Sequence, residues 1–239
     1  MRDLAIIVPA TTNRRVWTEI EETDLYNIFL ESLSTEGATP EFNITLYIGY
    51  DDDDKIYSIL ENQLKFNALF HKVSFKWIPF DKIYKGNPVA IWNELGKLAI
   101  DDNQKWLYVC GSDIQFNSDN GWAGLFINKL KKTQCIGWSA PWSNNDDIPT
   151  QFMVHRTHYD IFGFVYPTEI KNWGCDNFMS EVYPDKFRNW CREVHHLNLG
   201  GDPRYDVEFS EPFVKALVKR YRPRLNKYLN LEKKLEEML

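Results

Sequence analysis

The amino-acid sequence predicts one α/β domain with a mainly parallel central sheet flanked by helices and a helical extension at its C-terminal end. Three observations predict it. Short apolar runs alternate with segments of helical spacing over the first half of the chain, the pattern of β–α–β units. The apolar runs stop at polar, acidic or small residues, as strands do at the rim of such a sheet. A chain of 239 residues, 44% of them hydrophobic, can bury one sizeable core.

Residues 4–9 (LAIIVP) form the first strand candidate and end in the polar turn ATTNRR at residues 10–15. Residues 24–34 read as a helix. Residues 43–49 (NITLYIG) form a second strand that runs into Asp51, Asp52, Asp53 and Asp54. Of these four acids one is expected to face a ligand and the others solvent. Ile56, Ile59, Leu60 and Leu64 lie at helical spacing within residues 55–68. Residues 73–78 are a third strand, 88–100 a helix, and 106–110 a fourth strand ending at Gly111, Ser112 and Asp113. Ligands of such sheets collect beyond the carboxyl ends of the strands. That rule places Thr11 to Arg14, Tyr50 to Asp53 and Gly111 to Asp113 along one rim. Further on, residues 135–139 and 151–156 suggest strands, 172–183 a helix, and 193–199 an extended segment. Residues 211–221 and 225–239 suggest two more helices, the last amphipathic (LNKYLNLEKKLEEML) and suited to pack on the domain or to lead into another.

Composition narrows the function. A net charge of −6 lacks the basic footprint of a general nucleic-acid binder. Aromatic residues make up 15% of the chain, including nine Trp. Most are expected in the core, and the rest have flat faces suited to sugars or a nucleobase. Cys110, Cys135, Cys175 and Cys191 form no Cys-x-x-Cys pair and sit among apolar neighbours, which predicts reduced thiols rather than a zinc or redox site. No signal peptide is visible, and no apolar stretch approaches the ~20 residues of a membrane span. A cytoplasmic, soluble chain is expected.

The segment 106–116 (WLYVCGSDIQF) delivers a carboxylate at the end of a rigid apolar strand. Hard divalent cations prefer oxygen ligands and bridge to phosphates, although a turn or cap carboxylate is an equally good reading of Asp113 alone. The segment resembles the metal-binding strand of nucleotide-sugar glycosyltransferases of the GT-A (Rossmann-like) fold, an apolar run followed by Asp-x-Asp. Asp113 matches the second Asp, and Gly111 stands in place of the first. The resemblance extends over about residues 3–200. It implies that Pro9, Ala10, Thr11, Thr12 and Arg14 in the first loop contact the nucleotide. Asp51 is then the acid that meets base or ribose. Asn87 and Asn93, in GNPVAIWN at residues 86–93, border the pocket at a helix start whose amides favour the diphosphate. Gly111, Ser112 and Asp113 complete the donor site. Arg14, Arg15 and Lys85 are either diphosphate screens or solvated surface charges.

Within PTEIKNWGCDNFMSEVY at residues 167–183, the aromatic-Gly-x-Asp sequence resembles the acceptor motif of inverting members. It implies Asp176 as the base for an acceptor hydroxyl, with Trp173, Gly174 and Trp142 on the acceptor side. A histidine downstream often completes the metal shell in that family. In REVHHLNLGG adjacent residues of an extended segment face opposite ways, and His195 is the candidate over His196. His155 and His158 are alternatives for the acceptor pocket. The resemblance thus implies transfer of a sugar from a nucleotide-sugar donor, UDP before GDP, to a glycan or glycoprotein acceptor. It also implies help from a divalent cation, Mn²⁺ before Mg²⁺. The corresponding domain is residues 1–222, with a nucleotide half at about 1–118 and an acceptor half at about 119–222, followed by the helix at 223–239. The whole chain is most similar to small glycosyltransferase domains of large, chlorovirus-like DNA viruses. A nucleotidyltransferase would carry a Gly- and Lys-rich loop after the first strand, and residues 10–15 contain neither residue. The Gly111 departure leaves a non-catalytic sugar- or nucleotide-binding module as the other alternative.

Overall fold

In a computed structural model, residues 2–35, 37, 39–70, 72–117, 121–145 and 147–238 are described. Eight strands form one sheet: β1 (Arg2–Ala10), β2 (Phe42–Asp51), β3 (Val73–Phe80), β4 (Trp106–Val109), β5 (Ile114–Phe116), β6 (Trp138–Trp142), β7 (Phe152–His155) and β8 (Arg188–Asn198). Their order is β3-β2-β1-β4-β7-β6-β8-β5. Strands β3, β2, β1, β4, β6 and β8 run one way, and β7 and β5 run against them.

The central strands are apolar on both faces because both are covered. Along β1, Leu4, Ile6 and Val8 enter one core layer, while Ala5 and Ile7 enter the other. Along β4, Trp106 and Tyr108 face the first layer, and Leu107 and Val109 the second. The first layer is closed by a π-helical turn (Leu25–Leu30) that continues into α1 (Glu31–Thr35), by Phe66 of α2 (Leu60–Leu69), and by α4 (Trp122–Lys132). The second is closed by α3 (Pro88–Asp101), α5 (Thr157–Phe162), α6 (Cys175–Val182) and α7 (Glu211–Met238). The crossovers therefore switch faces between β1 and β4. At such a switch the loops at the carboxyl ends part and leave a crevice.

Several elements differ from expectation. Residues 55–59 are turns, and only Leu60–Leu69 is helical. Ile59, Leu60 and Leu64 are exposed, and the buried contacts of this region come from Ile56 and Phe66. The fifth-strand expectation shifts to Trp138–Trp142, because Gln134 and Cys135 turn the chain with positive φ. The two C-terminal helices are one. α7 runs unbroken through Pro223, so no element ends at residue 222, and Leu239 lies outside the described residues. Val214, Leu217, Val218, Tyr221 and Leu225 of α7 are buried in the second layer. Helices α4 and α5 and strand β5 had no counterpart in the sequence reading. All four cysteines are free, and no helix among the described residues is long and apolar enough to cross a membrane.

Candidate active site

The crevice beyond β1 and β4 is a cleft of about 540 Å³. One wall is Pro9 and Ala10 at the end of β1 with Thr11 just after it, and Asp51 at the end of β2. The facing wall is Gly111, Ser112 and Asp113 after β4. The start of α3 with Asn87 and the start of α6 with Trp173, Gly174 and Asp176 complete the lining. Residues from positions 9 to 176 thus meet in one place, and the acid after the fourth strand shares that cleft with the acid that opens α6.

Each of these positions has a local cause. Asp51 is buried and accepts from Thr11 Oγ1 at 2.7 Å. Burial pushes its carboxyl above the ordinary range. Asn87 caps α3, its side chain accepting from Ala90 N at 3.1 Å; Pro88 carries no N–H and Val89 N donates to Lys171 O at 3.2 Å, so the first-turn amides expected to receive a diphosphate are already engaged. Gly174 has φ +95°, and a Cβ there would lie 2.8 Å from Val214 Cγ2, so α6 can start against α7 only with glycine. Asp176 in the next turn is half-buried and accepts from Tyr166 Oη at 3.4 Å. Protein surrounds it on most sides, and this desolvation raises its pKa to about 6. Trp173 is 51% exposed and presents its ring at the cleft mouth.

Asp113 is held differently from expectation. A Cβ on Gly111 would lie 2.5 Å from Asp113 Oδ1, and one on Gly200 would lie 1.8 Å from Asp113 Oδ2. The carboxylate occupies the room that the missing side chain at 111 leaves, and a Cβ there would require it to shift. Its partner is Arg204, with Nη2 3.8 Å from Oδ2. Arg204 also donates from Nη1 to Ser112 Oγ at 2.9 Å and from Nη2 to Asp24.

Other expected residues are placed elsewhere. Thr12 is buried beneath the loop, its N and Oγ1 donating to Asp54 Oδ2 at 2.7 and 3.0 Å. Asp54 also accepts from the amides of Ile56 and Tyr57, so it is a buried clamp rather than a solvent-facing charge. Arg14 is outside the cleft lining and pairs with Asp206 at 2.5 Å. Lys85 lines the cleft but pairs with Asp53. Asn93 is buried inside α3, where it fastens the backbone of Val165 and Tyr166 through three bonds of 2.9 Å. His195 packs at 5.1 Å from the Trp142 ring, and neither lines the cleft. The two histidines do face opposite ways, but the inward one enters the core. His196 is fully buried, its Nδ1 2.6 Å from Tyr108 Oη, and desolvation lowers its pKa to about 3. His158 is likewise a core residue, bonded to Tyr183 and Val165, with its pKa lowered by burial to about 4. His155 packs against Trp106 with its ring tilted and does not line the cleft.

The residues present do not fit the expected divalent cation site. Asp113 is engaged by Arg204 and wedged between two glycines, His195 does not reach it, and no three His, Cys, Asp or Glu side chains gather as a ligand set among the described residues.

The sequence reading missed the segment at residues 199–210, which straps over the cleft. Asn13 Nδ2 donates to Arg204 O at 2.6 Å, and Arg15 Nη2 to Gly200 O and Asp202 O at 2.8 Å each. Asn172 bonds the backbone of Asp206 and Glu208. Tyr205 of this segment lines the cleft, and its phenol is pushed up by burial, with Asp176 and Asp113 adding to it. Trp92 was also missed; its Nε1 donates to Cys110 O at 3.0 Å and its ring edges against Tyr166. The run Gly200-Gly201-Asp202-Pro203 was a legible loop signal directly after β8.

No family model matches this chain, and no curated protein matches it in sequence. Solved structures do match. The Staphylococcus aureus TarS fragment 1–349 in complex with UDP-GlcNAc superimposes with a TM-score of 0.57 at 14% identity, over 91% of this chain and 65% of that one. GalNAc-T7 with UDP, GalNAc and Mn²⁺ gives 0.56 at 9% identity, over 90% and 47%. The mannosyltransferase PcManGT from Pyrobaculum calidifontis with GDP-Man and Mn²⁺ gives 0.54 at 10%, over 92% and 70%. The chain spans between 39% and 65% of the length of the TarS structures it matches. These likenesses rest on the course of the backbone, and the fold of this chain is that of the GT-A glycosyltransferases.

Proposed function

We propose that the protein transfers a sugar from a nucleoside-diphosphate-sugar, with UDP the favoured carrier, to a hydroxyl of a glycan or glycoprotein, inverting the anomeric centre. The observation that carries this reading is Asp176, a carboxylate raised to about 6, in the cleft that opens at the β1/β4 switch.

Pro9 to Thr11 and Asp51 suit the nucleoside. Trp173 offers an exposed ring for an acceptor sugar near Asp176. The acceptor hydroxyl oxygen attacks the anomeric carbon as the bond from that carbon to the diphosphate oxygen breaks. The electron pair leaves with the diphosphate, and the hydroxyl proton passes to the Asp176 carboxylate. A placed base of this kind contributes about 10²–10⁴-fold.

The test is incubation with UDP- and GDP-sugars and glycan acceptors, with product configuration read by NMR. Inverted product whose formation collapses in Asp176→Asn is expected. Retained configuration would remove Asp176 as base, and no nucleotide release with any donor would remove the transferase.

A further inference from the structure

We infer that Arg204, together with Arg15, is the cationic receptor for the donor's diphosphate, in the place where related folds use a divalent cation. The inference deepens the transferase reading and rests on it.

Four observations lead to it. Arg204 is anchored like a bound cation: Ser112 Oγ, Asp113 and Asp24 surround its guanidinium, and the side chain is only 11% exposed. The indole of Trp17 carries both arginines, with Arg204 at 5.5 Å and Arg15 at 5.7 Å from the ring centroid. The Nε of Arg204 is a buried donor with no acceptor in the protein, although a buried donor is ordinarily satisfied. Guanidinium edges match phosphate geometry, and Arg204 lines the cleft. Both arginines line the same cleft as Asp113 and the start of α3.

Charge supports the exchange. Two guanidiniums with Asp24 and Asp113 sum to zero, as does a divalent cation held by two carboxylates. These four side chains thus reproduce the formal charge of that arrangement. The strap is then part of the donor site: Arg15 uses Nη2 to bind the carbonyls of Gly200 and Asp202, which fixes the segment carrying Arg204 over the cleft.

The test is isothermal titration calorimetry with UDP and GDP, and with UMP and GMP as controls, in EDTA and in Mn²⁺. One diphosphate is expected to bind with the same Kd, within about twofold, in both buffers. Arg204→Gln and Arg15→Gln should each weaken it by about ten- to a hundredfold, leave the monophosphate within about threefold, and Arg204→Lys should recover part of the loss. Should Arg204→Gln fail to fold, Arg15→Gln and the EDTA comparison on the native chain still decide. Diphosphate binding that requires Mn²⁺ would overturn the inference and leave the transferase reading standing. Equal losses for mono- and diphosphate would assign the arginines a structural role and also overturn it. Absence of binding by either diphosphate in both buffers would overturn the transferase reading and the inference with it.

Discussion

Asp176 combines partial exposure to the cleft with a protein environment that penalises its charge, and both consequences can be measured. Its folded pKa of about 6 stands above the ordinary 3.8, so ionisation costs folding free energy. The cost is absent below about pH 4, develops as pH rises through 6, and is complete above 7. Asp176→Asn should therefore melt about 2–4 °C higher than the parent above pH 7 for each kcal/mol of that cost, with the difference vanishing towards pH 4. In the parent, kcat/KM should rise with pH through about 6 as the base deprotonates. The variant should lose about 10²–10⁴-fold in kcat, and a variant profile that still rises through 6 would point to another base. At Gly111 the departure from Asp-x-Asp leaves room that the Asp113 carboxylate occupies. A one-dimensional motif reports the substitution but not the carboxylate that moved into the space.

Helix starts decide the geometry of this cleft, and glycine and asparagine secure them. Gly174→Ala combines a left-handed backbone with a contact of 2.8 Å to Val214. A loss of about 2–4 kcal/mol is expected in urea unfolding, with weaker acceptor turnover as α6 shifts from α7. Asn93→Ala removes the bonds that hold Val165 and Tyr166 to α3 and leaves two buried amides unmatched. It should cost about 2–4 kcal/mol with little change in nucleotide affinity, since Asn93 does not line the cleft. A large loss of affinity at unchanged stability would return Asn93 to the donor site. α2 carries the lesson of periodicity: Ile59, Leu60 and Leu64 are spaced as a helical stripe yet exposed, because the aromatic residues around Phe66 fill that part of the layer.

Across the whole molecule, the strap at residues 199–210 ties the first loop to the end of β4 and to the chain just before α6, and residues of all three line the cleft. A nucleoside diphosphate at about 100 times its Kd should add about 2.7 kcal/mol to stability, or about 5–10 °C in melting temperature for a chain of this length. A panel of nucleotides in a thermal-shift assay checks this and names the base. No shift with any diphosphate would contradict a nucleotide cleft.

The order of the first four strands and of the helix before the fourth was legible along the chain because periodicity and turn chemistry are local, and with it the rim where Thr11, Asp51 and Asp113 follow or end their strands. Asp176 was legible for the same reason, as the acid at a helix start marked by Trp173 and Gly174. The contacts across that rim were not. Alternation in β8 tells that His195 and His196 diverge, but only packing shows that the inward side is a core of Tyr108, Phe116 and Trp122. Arg204 reaches Asp24 and Asp113 across 180 and 91 positions of chain, a separation at which no local pattern carries information about partners.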